Sequence, residues 1–324
     1  MRLLCLSAVV ALAFVSCKKT DNETVIFNGS TQQFVADEGF EKVYINPNNM
    51  VVFEQGDLVK LFNLSTSNPS ISEMATYAAR ETGELVHFQL ADNPMSTTTH
   101  GAFYAFYPGE NVTSATLNTD NKAVFKLNTV QEYRLVDDKP TISKKDLYMA
   151  SMVTGVQELQ DANFQFDNIC GILALKYYDT EGWTLKSLRV EDKHFGLTGD
   201  VHLYVPGIRT NGLVEVCEAY DPANPEATAT QIADFKYQFG YSVTNADNKV
   251  TLDLGEEGFT LSQDSANPSV FYIVLRPLAL SHGYRVIATD MNGNEYTIVD
   301  SDNNKKILPN TIKSIKAKDL ASFH

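Results

Sequence analysis

The chain of 324 residues carries 40 acidic side chains against 26 basic ones, a formal net charge of −14. Such a balance repels nucleic acid and anionic head groups and argues against a polyanion partner. Apolar residues make up 44% and aromatic residues 10%, enough for a packed core and too much for a disordered chain.

Arg2 gives a short positive start, residues 3–15 are apolar, and small Ser16 precedes Cys17. A run this short does not span a bilayer as a mature helix, so residues 1–16 read as a signal peptide. At Cys17 the composition switches abruptly to Lys18, Lys19, Thr20, Asp21, Asn22 and Glu23. The switch resembles a bacterial lipobox followed by a polar tether, with Phe14 an imperfect residue three places before the cysteine. The expectation is a lipid on Cys17, a tether over residues 17–24 and a body held at a membrane surface by acyl chains. No second apolar run reaches spanning length.

Beyond the tether, short β-type runs alternate with Asn, Asp, Gly and Pro. They cover residues 41–45, 102–107, 123–127, 173–177, 249–254 and 270–275. Several alternate apolar with polar, the mark of a sheet with one buried and one wet face. Residues 71–80 read either as a short helix or as loop and strand. Residues 284–299 form the clearest hairpin, with Asn292 and Gly293 suited to the positive φ angles of a two-residue I′ turn. Residues 312–320 read as a final strand, closing its own sandwich or donated to a neighbour. The class is therefore all-β, with two tandem antiparallel β-sandwiches at residues 25–160 and 161–324.

Chemistry is sparse along this frame. Cys5 leaves with the signal, and Cys170 and Cys217 alone make no disulfide framework. Cys170 stands in an apolar run and reads as a buried small hydrophobe. His87, His100, His194, His202, His282 and His324 lack metal-ligand spacing, and neither a nucleophile elbow nor a phosphate loop is present. Asp290, Asn292 and Asn294, like Asp300, Asp302 and Asn304, offer alternating oxygens. Both sets lack the length and terminal glutamate of a calcium loop and read as turns. Phe103, Tyr104, Phe106 and Tyr107 fall at strand spacing, so half should face the core, and Trp183 alone is a weak sugar platform. No catalytic residue, metal or cofactor is expected.

The order of several loose motifs carries a resemblance. Residues 103–108 (Phe-Tyr-Ala-Phe-Tyr-Pro) precede a long loop, Gln131 and Tyr133 follow, and residues 146–150 read Asp-Leu-Tyr-Met-Ala. Then come the strand of residues 164–175, the strand of residues 185–190, the turn at residues 197–199 and the strand of residues 270–277. Together these resemble the Bacteroidales fimbrillin-like lipoproteins. The resemblance implies two transthyretin-like domains, export to the outer membrane, and a role in pilus construction or surface adhesion. It also implies trimming of an N-terminal strand by an arginine-specific protease, and strand exchange with other fimbrial subunits through the groove so opened. Host protein or glycan is the implied outer partner. Asp264-Ser265-Ala266 resembles the O-glycosylation site of exported proteins in these bacteria, which marks Ser265.

The chain departs from that pattern in one respect. No arginine lies between Cys17 and Arg80, and Arg134 is deep in the first domain. Without early trimming the lipid stays, which favours an anchor or a stand-alone surface protein over a stalk subunit. The competing reading is a glycan-binding lipoprotein outside any pilus, whose sign is a set of coplanar aromatic rings exposed on one sandwich face.

Overall fold

Period-two alternation becomes one-sided burial. Along β1 (Ile26–Thr31) the side chains of Phe27 and Thr31 and the face of Gly29 turn inward, while the residues between them stay half-exposed. A computed structural model describes residues 26–31, 35–36, 51–64, 71–92, 99–111, 122–136, 138–193, 196–204, 241–280, 282–303, 305–307 and 309–324. The signal peptide, Cys17, the tether, the run at 41–45, His194 and Cys217 lie outside these residues.

After β1 come β2 (Val35–Ala36), β3 (Leu58–Leu64), β4 (Ile71–Ala79), β5 (Leu85–Asp92) and β6 (Thr99–Tyr107). The chain continues through β7 (Lys122–Leu127), β8 (Val130–Glu132), β9 (Arg134–Val136), β10 (Lys139–Thr141), β11 (Met149–Glu158) and β12 (Asn163–Asn168). Next are β13 (Gly171–Tyr178), β14 (Thr184–Asp192), β15 (Thr198–Tyr204), β16 (Tyr241–Asp247), β17 (Lys249–Asp253), β18 (Phe259–Thr260) and β19 (Ser269–Leu275). The last are β20 (Leu278–Ala279), β21 (Tyr284–Asp290), β22 (Glu295–Ser301), β23 (Lys306–Ile307), β24 (Thr311–Ser314) and β25 (Lys318–Asp319). The all-β class is what the alternation predicts.

One open reading is decided and one expectation is corrected. Of residues 71–80, residues 71–79 are strand and Arg80 begins the turn: β4 pairs with β3 on one side and β5 on the other, and those ladders override the helix propensity of its alanines. The β21–β22 hairpin is closed by three residues rather than two. Asp290 O accepts the Gly293 N–H at 3.1 Å, Asp290 N–H donates to Asn294 O at 3.0 Å, and only Gly293 has positive φ, at 83°. This is the three-residue loop in which a left-handed glycine makes a bulge.

The strands β1, β12, β11, β6, β3, β4 and β5 pair in that order and close into a ring. Its filling is aromatic, with Phe27 between Tyr77, Phe88 and Phe164 at centroid distances of 4.9, 5.4 and 4.9 Å. Pairing is mostly antiparallel, but β1 runs parallel to β12, β8 to β17, and β24 to both β13 and β2. Hydrogen bonding also crosses residue 160, because β12 belongs to the ring while β7 and β8 pair with β15 and β17.

Between the two cores stands the sheet β19-β13-β24-β2, and both of its faces are covered. Ile172 and Ala174 of β13 join the aromatic core with Tyr272, Val274 and Ile312. Leu173, Leu175 and Tyr177 join the second core with Phe271 and Ile273. That accounts for the near-continuous apolar sequence of β13, which one-faced strands do not need.

Candidate interaction surface

The first element to consider is β1, which sits between two backbone edges at once. It pairs antiparallel with β5, from Ile26 opposite Gln89 to Ser30 opposite Leu85, and parallel with β12, from Asn28 opposite Asn163 to Thr31 opposite Phe166. Phe27 fills the aromatic core, and Thr31 Oγ1–H donates to Val51 O at 2.7 Å. At Gly29 no side chain fits, since a Cβ would lie 2.6 Å from Phe88 Cε2 and 3.2 Å from Phe166 Cε2. The strand is thus shaped to its slot residue by residue.

The first arginine after the signal lies elsewhere. Arg80 is exposed in the turn between β4 and β5, where its N–H donates to His87 O at 2.9 Å. Cleavage there separates the three ring strands β1, β3 and β4 from the four others, β5, β6, β11 and β12. Arg134 is exposed at the start of β9 and paired with Glu132 at 3.1 Å.

A second feature is the projecting edge formed by β8 and the β9–β10 hairpin. β8 is the outer strand of the sheet β22-β21-β14-β17-β8. Val130, Leu135 and Val136 are 59%, 47% and 50% exposed, a cluster of apolar side chains on one short stretch. Asp138 turns the hairpin at φ 59°, a left-handed conformation that Asp tolerates better than most residues. Gln131 and Tyr133 point the other way. The Gln131 amide bonds both backbone groups of Val274, and Tyr133 packs on Phe259 and Phe271 at 5.1 and 5.4 Å. Burial pushes the Tyr133 hydroxyl up to about 12.

The residues singled out from sequence fall as follows. Ser265 is exposed at the corner of a turn in which Asp264 accepts from Ala266 N–H at 2.8 Å and from Asn267 Nδ2 at 2.6 Å. Asp290 spends both oxygens inside its own loop, on the N–H groups of Asn292 and Asn294 and the side chain of Asn294. Asp300, at the end of β22, and Asp302 just beyond it are both taken by Lys193, at 2.5 and 2.7 Å, while Asn304 lies outside the described residues. Cys170 is a free, buried thiol, pushed up by burial and by Asp146. Among the described residues no group of three His, Cys, Asp or Glu side chains is placed to hold a metal.

The aromatic residues singled out from sequence do not form an exposed platform. Phe103, Tyr104, Phe106 and Tyr107 are all buried, not half of them, because the ring packs against a core on the outer face of β6 as well. Trp183 is also buried, edge-on to Tyr296 at 5.0 Å and stacked on the His324 ring at 4.5 Å. His324 Nε2 is 2.8 Å from Asp179 Oδ2, and Asp179 Oδ1 accepts from the N–H groups of Glu181 and Trp183.

No protein-family model matches the chain, and no curated protein does. A solved structure named a "putative cell adhesion protein" from Bacteroides ovatus aligns at a TM-score of 0.50 and 13% identity, over 89% of this chain and 88% of that one. The two share one fold. A like-named protein from Bacteroides uniformis gives 0.49 at 13% identity, over 93% of this chain and 94% of that one. A fimbrial protein from Bacteroides ovatus gives 0.39 at 11% identity, over 92% of this chain and 50% of that one.

Sequence reasoning passed over Gly29 and Asp179 and weighed His324 only as a metal ligand. Gln131 entered only as part of a motif, without a role. A signal existed for Gln131, a polar residue between exposed Val130 and Glu132 on a strand whose alternation demands that it face inward.

Proposed function

We propose that the chain is a cell-surface lipoprotein, anchored in the outer membrane through Cys17, that serves as a pilus anchor or accessory subunit or as an adhesin. It engages partner subunits by β-strand complementation. The observation that supports this reading is the seat of β1. A single short strand satisfies the edges of β5 and β12 together, so any exchange of that strand offers two ladders and an aromatic slot to a replacement.

The position of Arg80 supports an anchor over a stalk subunit. A cut after Arg80 takes β3 and β4 away with β1, and the aromatic core cannot survive that loss. In the anchor reading β1 and the lipid therefore stay with the body, and exchange of β1 belongs to the accessory-subunit reading alone. Ser265, exposed at a turn corner, is the proposed glycan-bearing position.

Cell fractionation with surface protease shaving, followed by mass spectrometry of sheared filaments, tests the reading. The expected result is a lipid-modified Cys17 peptide in the outer-membrane fraction, with the shaved peptides coming from the body. Mature protein in filament shafts that starts after an arginine and lacks lipid refutes the anchor.

A further inference from the structure

We infer that the segment β1–β2 is a mechanical clamp that carries tension from the N-terminal tether into both cores. The inference rests on the lipid-anchor reading for the source of the tension, and on the strand topology for everything else.

The path of the segment comes first. β1 runs parallel to β12 in the ring. Beyond it β2 runs parallel to β24, which is itself parallel to β13 in the shared sheet. Only Ile169 and Cys170 separate β12 from β13, so the two tracks, β1 to β2 and β12 to β13, run parallel from ring to shared sheet, adjacent in the ring and with β24 between them in the sheet. The tether enters at Ile26, beside the start of β12. The far end of β13 is tied to β25, through Tyr177 opposite Lys318. A pull on the tether against the rest of the chain therefore acts along the strand axes.

That direction decides how the hydrogen bonds fail. A strand pulled sideways opens its ladder one bond at a time. A strand pulled lengthwise strains all of its bonds together, and β1 has a ladder on each side, with five residue pairs to β5 and four to β12. Forced unfolding is set by the barrier to the first rupture, so simultaneous strain raises resistance without any change in equilibrium stability.

Gly29 adds a lock against sliding. Its slot leaves no room for a Cβ beside Phe88 and Phe166. Drawing β1 outward by one residue brings Ser30 to that slot and turns every side chain to the wrong face. Drawing it by two brings Thr31 there, breaks its bond to Val51 O and pulls Phe27 out of the aromatic core. Neither register is open to the strand, so it cannot yield by stepwise slippage.

The test is single-molecule pulling on the full mature chain, with one handle in place of residues 1–16 and the other after His324. The expected record is one high-force event that takes the cores with it. An early low-force step that frees β1 and β2 while the remainder stays folded overturns the clamp. Gly29→Val should lose the high-force event, and exposed Val130→Ser should keep it. Should Gly29→Val not fold, Thr31→Val, which lacks the bond to Val51, supplies the same readout, and an unchanged rupture force in it counts against the clamp. Metabolic palmitate labelling of Cys17 is read separately. Absent label with an intact high-force event removes the anchor and leaves the clamp, whereas label with early peeling removes the clamp and leaves the anchor.

Discussion

The side-chain amide of Gln131 stands where a neighbouring strand would stand, donating Nε2–H to Val274 O at 2.7 Å and accepting Val274 N–H on Oε1 at 2.9 Å. Val274 belongs to β19, the outer strand of the shared sheet, and is fully buried. Without the amide, two backbone groups lose their partners out of reach of water. Gln131→Ala is expected to cost about 2–4 kcal/mol in urea unfolding, the sum of two orphaned buried groups. It should also raise aggregation at equal concentration, because it bares a strand edge. An unchanged midpoint in Gln131→Ala shows that another group takes over the edge.

Phe27 anchors β1 by filling a slot among three rings. Phe27→Ala should lose about 3–5 kcal/mol, and Phe27→Leu clearly less, since the leucine refills most of the space. Equilibrium unfolding with both variants checks the order. Equal losses would point to a specific ring geometry rather than to volume.

Asp179 sets an acid limit on the second core. Burial pushes its carboxyl up, but the bond from the His324 ring and those from the Glu181 and Trp183 N–H groups outweigh burial and leave it below the ordinary range. A depressed carboxylate stabilises the fold above its unfolded pKa and loses that contribution as pH falls through its folded one. Asp179→Asn should therefore lower the Tm at pH 7, and the gap should close below about pH 4, where the wild-type carboxyl takes up its proton. His324→Ala should lower the Tm at pH 7 as well, by the equivalent of about 1.5–3 kcal/mol for a bond to a charged partner.

Asp146 has the opposite sign. It is buried on the short turn Lys144–Asp146, and burial raises its carboxyl despite the bond from Asn128 Nδ2 at 2.9 Å. A raised carboxyl favours the fold below its unfolded pKa and withdraws that support as pH rises through its folded one. Asp146→Asn keeps an acceptor for Asn128 and removes the buried charge. Its Tm should exceed the wild type at pH 7 and meet it near pH 4 in a melting series; a lower Tm at pH 7 would refute the argument.

Strands written as alternating or continuous apolar runs were open to reading from sequence: β6, β7, β13, β17 and β19 all fall on such runs. β1 was not, because Asn28-Gly29 is a turn signal in sequence. The ring of Phe88 explains the glycine instead, by taking the space that a side chain would need. The parallel partners were also hidden, since nothing in Val35 or Thr311 names the other. The same holds for Gln131 with Val274 and for Asp179 with His324, each pair more than 140 residues apart. Hydrophobic period reports which way a residue faces, and it carries no information on which distant element it meets.

The two-faced packing of β13 has a genetic consequence. Neighbouring residues of this strand belong to different interiors, as in a party wall whose bricks show alternately in two rooms. Substituting one residue disturbs one room. Inserting or deleting one residue exchanges the rooms for every residue downstream in the strand, sending Leu173 and Tyr177 into the aromatic core and Ile172 and Ala174 out of it. Length changes should be tolerated at exposed corners such as Ser265, while β13 keeps its residue count and diverges only by replacement.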